Sequence, residues 1–240
     1  MHLLNCIRSC LKPLSLTLLC AWVAACGASK KPAGGTVTGT IVNRSMAVHS
    51  AVFAPMAPPP QLLALGVKAV TAVVLSESGD ACADALAGRL SPNKQYLVLA
   101  LAAPLTGVVD RGTYTVLDAA ALRAGSRAAV QTLLNGGMSA VLFRGDATCA
   151  NTLQPSQSLA VAGTVTLEGI NLPQKGEAAA QGQASGSLTL TFGVPPGDSV
   201  MGHFNADYCP ALTDLLGRNA QALASPDPAA AAQSLPCSPL

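Results

Sequence analysis

An all-β domain is the fold the sequence predicts: an antiparallel sandwich or partly closed barrel of about eight to ten strands, with one or two short helices. Three observations carry the prediction. Apolar residues alternate with Ser, Thr and other polar residues through Thr36–Ile41, Gly112–Asp118, Ser158–Ile170, Ser185–Val194 and Ser199–Tyr208, the period of half-buried strands. Val67–Ser76, Gln95–Ala102 and Met138–Arg144 are nearly continuous apolar runs, which read as strands buried on both faces or close to it. Half of the 240 residues are hydrophobic but only 3% are aromatic, so the core is built from Val, Leu and Ala with a few Phe and Tyr.

In chain order, Arg8 and Lys12 precede an apolar segment, Pro13–Cys26, that is shorter than the ~20 residues needed to span a bilayer. It ends in Val23-Ala24-Ala25-Cys26, followed by Gly27. This resembles the lipobox of bacterial lipoproteins. The resemblance implies cleavage after Ala25, a diacylglyceryl group on the Cys26 thiol and acylation of the new amino terminus. Gly27, in place of Asp, implies an outer-membrane address on its periplasmic or cell-surface face. An ordinary signal peptide cleaved after Ala25 is the alternative. The chain therefore divides into a leader (1–25), a lipidated Cys with a flexible tether (26–35), an all-β domain (36–216) and a Pro/Ala-rich, mostly disordered tail (217–240).

Within the domain, Val37, Gly39 and Ile41 share a face, and a turn at Asn43–Ser45 leads into Ala47–Ala54 as the second arm of a hairpin. Four prolines make Pro55–Pro60 a rigid loop. Asp80 offers an N-cap for a helix over Ala81–Leu86, stopped near Gly88. Ala119–Leu134 is compatible with helix, or with a strand near Ala128–Leu133. Leu159, Val161, Val165 and Leu167 are assigned to one face of the next strand, and Leu188, Leu190 and Phe192 to one face of its successor. Gln174–Gly182 is the loop between these two strands. Pro195–Asp198 has the residues of a type II turn, and Val200, Gly202 and Phe204 point inward from the strand after it. These last three strands form an antiparallel meander with one wet face. Pro210–Gly217 reads as one or two helical turns. The recurrence of Gly35–Thr38 as Gly163–Thr166 reflects strand composition rather than a repeat fold.

Removing the leader leaves 12 basic and 12 acidic residues, a neutral chain without the electrostatic footprint of a nucleic-acid binder. Four of the eight cysteines, Cys82, Cys149, Cys209 and Cys237, remain beyond Cys26. An exported chain with an even number and no C-x-x-C points to structural disulfides. Cys82 and Cys149 each follow an apolar strand at a Gly-Asp turn, and Cys209 ends the last strand, so the expected pairs are Cys82–Cys149 and Cys209–Cys237.

Signals for chemistry are sparse. Beyond the leader the only histidines are His49 and His203, each placed within a strand, and His203 on an exposed face. No spacing suits a zinc site, no G-x-S-x-G occurs, and no tryptophan follows Trp22 to make a sugar platform. Asp80, Asp146 and Asp198 each follow a glycine as turn residues, and Arg144-Gly145-Asp146 reads as a strand end and turn rather than an integrin ligand. No metal or cofactor is expected. Gly35–Gly39, Cys82 and Cys149 after strands, and Gly197–Cys209 together resemble small all-β lipoproteins of soil-dwelling bacteria, a group without assigned activity. The expectation is a non-catalytic structural or interaction module of the cell envelope, anchored to the membrane. Its partner is unspecified. The alternatives are a carrier of a small apolar ligand in a barrel cavity and, more weakly, a hydrolase with a spatially assembled site.

Overall fold

Eight strands close into a mixed barrel in the computed structural model, which describes residues 34–103, 109–173, 182–193 and 197–223. They are β4 (Ser50–Met56), β5 (Ala69–Ser76), β6 (Gln95–Ala103), β7 (Gly112–Val116), β8 (Gly137–Arg144), β9 (Ala160–Asn171), β10 (Gln183–Phe192) and β11 (Asp198–Tyr208). The ring runs β4-β5-β6-β8-β7-β9-β10-β11 and returns to β4. Two of its seams are parallel, β7–β8 and β11–β4, against the wholly antiparallel arrangement expected. The first has a simple cause. A parallel step needs a crossover of a dozen or more residues, and here α3 (Ala119–Arg123) and α4 (Arg127–Leu134) supply it. The segment left open between helix and strand is therefore helical, started by Asp118 accepting from the N–H groups of Ala120 and Ala121.

Closure depends on β11. One edge pairs with β10 from Asp198 to Asp207. The other is covered in turn by β2 (Thr38–Ile41), β1 (Gly34–Gly35) and β4. β2 forms a hairpin with β3 (Arg44–Ala47) through Val42 and Asn43, both at positive φ. The hairpin thus ends at Ala47, and Ser50–Met56 is a separate barrel strand rather than its second arm. Pro55 and Met56 belong to that strand instead of a loop. β4 meets β11 only at Val52 and Phe53, so proline is tolerated beyond the pairing.

The meander β9-β10-β11 is as expected, with one correction. Val161 is exposed, because the β9–β10 register skips it between Ala160 and Ala162. The bulge turns Val161 outward and Ala160 inward. At Gly163, φ is +125° and a Cβ would collide with the Thr189 carbonyl, so the strands approach closely only because glycine stands there. The turn placed at Pro195 lies outside the described residues, as does most of the loop 174–182.

The interior is one continuous apolar cluster. Phe53, Phe192, Phe204, Ile41, Met46, Leu97, Leu99, Met138 and Leu142 are each less than 2% exposed within it. Outside the wall, α2 (Ala81–Ala87) and α6 (Pro210–Leu223) cover Val52, Ala72, Val74 and Phe143. Leu133 of α4 packs with Val70 and Ala102. Short helices α1 (Pro60–Ala64) and α5 (Pro155–Ser158) join them, so the described residues carry a few short helices beside the strands, compatible with the all-β fold expected. α6 runs to Leu223, which places residues 217–223 in a helix rather than a loose tail.

Candidate functional site

Polar and reactive side chains gather in a cleft between α2 and α6 and at the barrel end beneath the β2–β3 hairpin. The first begins with local capping. Asp80 accepts from the Ala83 N–H at 2.8 Å, and Ser50 Oγ accepts from Ala81 N while donating to the Ser78 carbonyl, which fixes the start of α2 to β4. Ala81 and Ala85 then face the wall, small enough for close approach. α6 follows β11 directly and turns Leu212, Leu215 and Leu216 toward the same wall, at helical spacing.

Between the helices lies a cavity of about 50 Å³, lined by Val74, Leu90, Tyr96, Val98, Phe143 and Leu216 among others. Its polar groups are already matched. Tyr96 donates its hydroxyl to Asp84 at 2.9 Å, Ser91 Oγ donates to the other Asp84 oxygen at 2.8 Å, and the Ser91 N–H donates to the Tyr96 oxygen. Burial, with Asp84 nearby, pushes the Tyr96 phenol up to about 12, so it stays neutral. The cleft offers an apolar surface to a small group, well below the roughly 300–1,000 Å³ of a typical ligand pocket.

One disulfide spans the cleft. Cys82, in the first turn of α2, bonds to Cys209, the residue before α6. This overturns both expected pairs, Cys82–Cys149 and Cys209–Cys237. The cause is the parallel β4–β11 seam, which sets Tyr208 beside Phe53 and lets the Cys209 N–H donate to the Phe53 carbonyl. Nothing local in the sequence announces a contact between residues so far apart. Cys149 does lie in the same apolar cluster as Cys82 and is itself disulfide-bonded. Asp146 presents it: the carboxylate accepts from Thr148 N, Thr148 Oγ1 and Ala150 N, holding a turn in which Cys149 has a φ of +58°. Those hydrogen bonds, the Thr148 side chain first, hold the Asp146 carboxyl below its ordinary range. Cys26 and Cys237 lie outside the described residues.

At the barrel end, Gln95 is fully buried and central. Its amide donates to Glu77 at 2.7 Å and to the Ser45 carbonyl, and its oxygen accepts from Arg144 Nε. Glu77 also pairs with Arg44 at 3.0 Å. Arg144 reaches the carbonyls of Ile41 and Val42, while Asp198 accepts from the Val42 N–H at 2.8 Å. Burial, then the neighbouring Arg44, lowers the Arg144 guanidinium from its ordinary value. The network clamps the hairpin turn and seats Ile41 and Met46 in the interior. Its sequence signal was a Gln at the head of an apolar strand and an Arg at the end of another, both read there only as strand boundaries.

The histidines join neither place. His49 sits between β3 and β4 rather than within a strand, and it is exposed. His203 projects outward from β11, its Nδ1 3.7 Å from Glu168. Around it lies a hydroxyl-rich face. Thr113, Thr166, Ser187 and His203 form one cross-strand row, and Thr115, Thr164, Thr189, Met201 and Thr38 another. Among the described residues, no three His, Cys, Asp or Glu side chains stand close enough to hold a metal ion. No family model, curated protein or solved structure matches the chain.

Proposed function

We propose that the protein is an exported bacterial lipoprotein, held at the outer membrane through Cys26, whose barrel serves as a non-catalytic structural or interaction module of the cell envelope. The observation that carries this reading is the filled interior. Eight strands make a barrel just wide enough either to pack with its own side chains or to hold one small ligand. Here Phe53, Phe192, Phe204, Leu97 and Leu99 have at most 1% exposure, which leaves no water-sized void against them. Recognition then falls to the outside, where the Thr and Ser rows of β9, β10 and β11 offer donors and acceptors with little charge. The Cys82–Cys209 bond suits an oxidising compartment. Among the described residues, the α2–α6 cleft is the feature that would support a carrier role, and at about 50 Å³ it suits a fragment rather than a whole ligand.

Palmitate labelling and fractionation test the anchor. One acyl chain holds a protein only marginally, at about 0.8 kcal/mol per buried methylene, and two or more hold it firmly. Labelled, membrane-associated wild type and a soluble or unprocessed Cys26→Ala variant are expected. Unlabelled, soluble wild type would remove the lipoprotein reading. For the module, His49→Ala with His203→Ala should leave the envelope phenotype of a deletion strain fully complemented; a lost hydrolytic activity in a folded variant would revive the enzyme.

A further inference from the structure

The helices that roof the α2–α6 cavity are tied in place. Ser50 Oγ accepts from Ala81 N at the start of α2, the Cys82–Cys209 bond joins that turn to α6, and Asp84 accepts from Ser91 Oγ and the Tyr96 hydroxyl. Between these ties α2 turns two short side chains, Ala81 and Ala85, to the wall. Helices fixed in this way cannot settle inward to fill the space the alanines leave, so the cavity of about 50 Å³ is preformed. We propose that this cavity is a binding site for the methyl end of a linear alkyl or acyl chain. The inference goes beyond the module reading and does not depend on whether Cys26 carries lipid.

Chemistry and size select that ligand. Val74, Leu90, Val98, Phe143, Leu212 and Leu216 present hydrocarbon to the space. Asp84 is the one charged side chain among its described lining residues, and each of its oxygens already accepts a hydrogen bond. The Tyr96 hydroxyl both donates and accepts. Water needs several polar partners to stay in such a space; with these groups committed, apolar atoms fill it at the smaller cost. An apolar cavity of about 150 Å³ takes a benzene ring. At about 50 Å³ this one excludes rings and takes the last carbons of a chain. The way in passes over Val98, which is part-exposed, whereas Val74, Leu90, Phe143 and Leu212 are at most 7% exposed. Val141, its partner on β8, and Ala100, the next outward residue of β6, are part-exposed too. This apolar strip carries the chain from the cavity toward the exposed Ser139, which pairs with Ala100. A carboxylate or headgroup then sits in water beyond it.

Methyl-resolved NMR of the full-length protein tests the site, in a steroid-based detergent that has no linear chain to compete. Decanoate, added below its micellar concentration, should give saturable shifts at the methyls of Val74, Val98, Leu212 and Leu216. The methyls of Leu97 and Leu99, inside the barrel, should stay unmoved. A lysophosphatidylcholine with the same decanoyl chain distinguishes the sources: shifts from both ligands admit a lipid-borne chain, and shifts from decanoate alone assign a free acid. Ala85→Leu puts a branched side chain into the space, and affinity for decanoate should fall about tenfold, the loss expected when about two methylenes are denied burial. Leu216→Ala enlarges the space and should admit benzene, which the wild type should not bind. Shifts that never saturate, or that fall equally on the exposed Leu63 and Leu86, would overturn the site. Undiminished affinity in folded Ala85→Leu protein would do the same. Should that variant not fold, Leu216→Ala protein that binds decanoate and benzene no differently from wild type overturns it alone. Benzene bound by the wild type in place of decanoate would overturn the assignment to a chain end.

Discussion

Along β5, seven of eight residues are buried, whereas along β10 buried and partly or fully exposed residues alternate. Both strands give the same kind of side chain to the interior: Val73 and Leu75 from one, Leu188 and Leu190 from the other. They differ on the outside. β5 turns Ala72 and Val74 outward, and α2 and α6 cover them; β10 turns out Ser187, Thr189 and Thr191, which are partly or fully exposed. One barrel thus has a wall with two apolar faces and a wall with one. The helices follow from the outer-face composition, since exposed aliphatic surface costs roughly 25 cal/mol per Å² relative to burial. The covered wall also carries the disulfide and the cleft, and the wet wall carries the hydroxyl rows.

The sharpest way to break this comparison is to place a charge on the covered wall. Val74→Asp buries an unpaired carboxylate beneath α2 and α6 and should destabilise the fold by about 3–5 kcal/mol, read from urea unfolding. A loss as small as that on the wet wall would mean the helices are not packed there. Next comes the staple. Replacing Cys82 and Cys209 together with Ala opens a loop of 127 positions and should cost about 2–4 kcal/mol. Unaltered denaturant midpoints would mean the helices are held by packing alone.

A smaller effect is expected at Tyr96. Its folded-state value is raised from 10.0 to about 12, so the folded chain holds the phenol proton more tightly than the unfolded chain does. The contribution of that phenol is complete below pH 10 and is lost as the pH climbs toward about 12. Tyr96→Phe should cost about 1 kcal/mol at neutral pH and flatten the stability slope in the alkaline window. A slope unchanged by the substitution would detach the titration from Tyr96. Least of all should change with Thr189→Asp, within about 0.5 kcal/mol, because Thr189 is exposed. Set beside Val74→Asp, it measures the difference between the walls at a single side-chain type.

What the sequence made legible follows the same division. Period-two alternation located β7, β9, β10 and β11, because each has a wet face against which an apolar face stands out. The doubly buried strands β5, β6 and β8 were legible as apolar runs, and Asp80 and Gly88 marked α2 by its caps. Closure was not legible. It rests on two residue pairs of β4 and β11, and a parallel pairing leaves no turn signal between its strands. The disulfide error has this origin, since Cys209 was placed by its strand and not by that strand's neighbour. The Tyr96–Asp84–Ser91 group was missed for a related reason: three common residues become a site only when α2 lies on the wall. Val161 was misplaced because a bulge breaks the alternation that had assigned it.

The β4–β11 seam also sets an order of events. Val52 and Asp207 are paired although 155 positions separate them. A chain made amino end first presents β4 long before the strand that completes the ring exists. Until Tyr208 emerges, Phe53 has no aromatic neighbour from β11 and one edge of β4 lacks its partner. Contacts so distant in sequence form slowly, and an open apolar sheet is prone to aggregate while it waits. The ring therefore cannot shut until β11 has been made. The interval just before closure is the moment when a holding chaperone matters most.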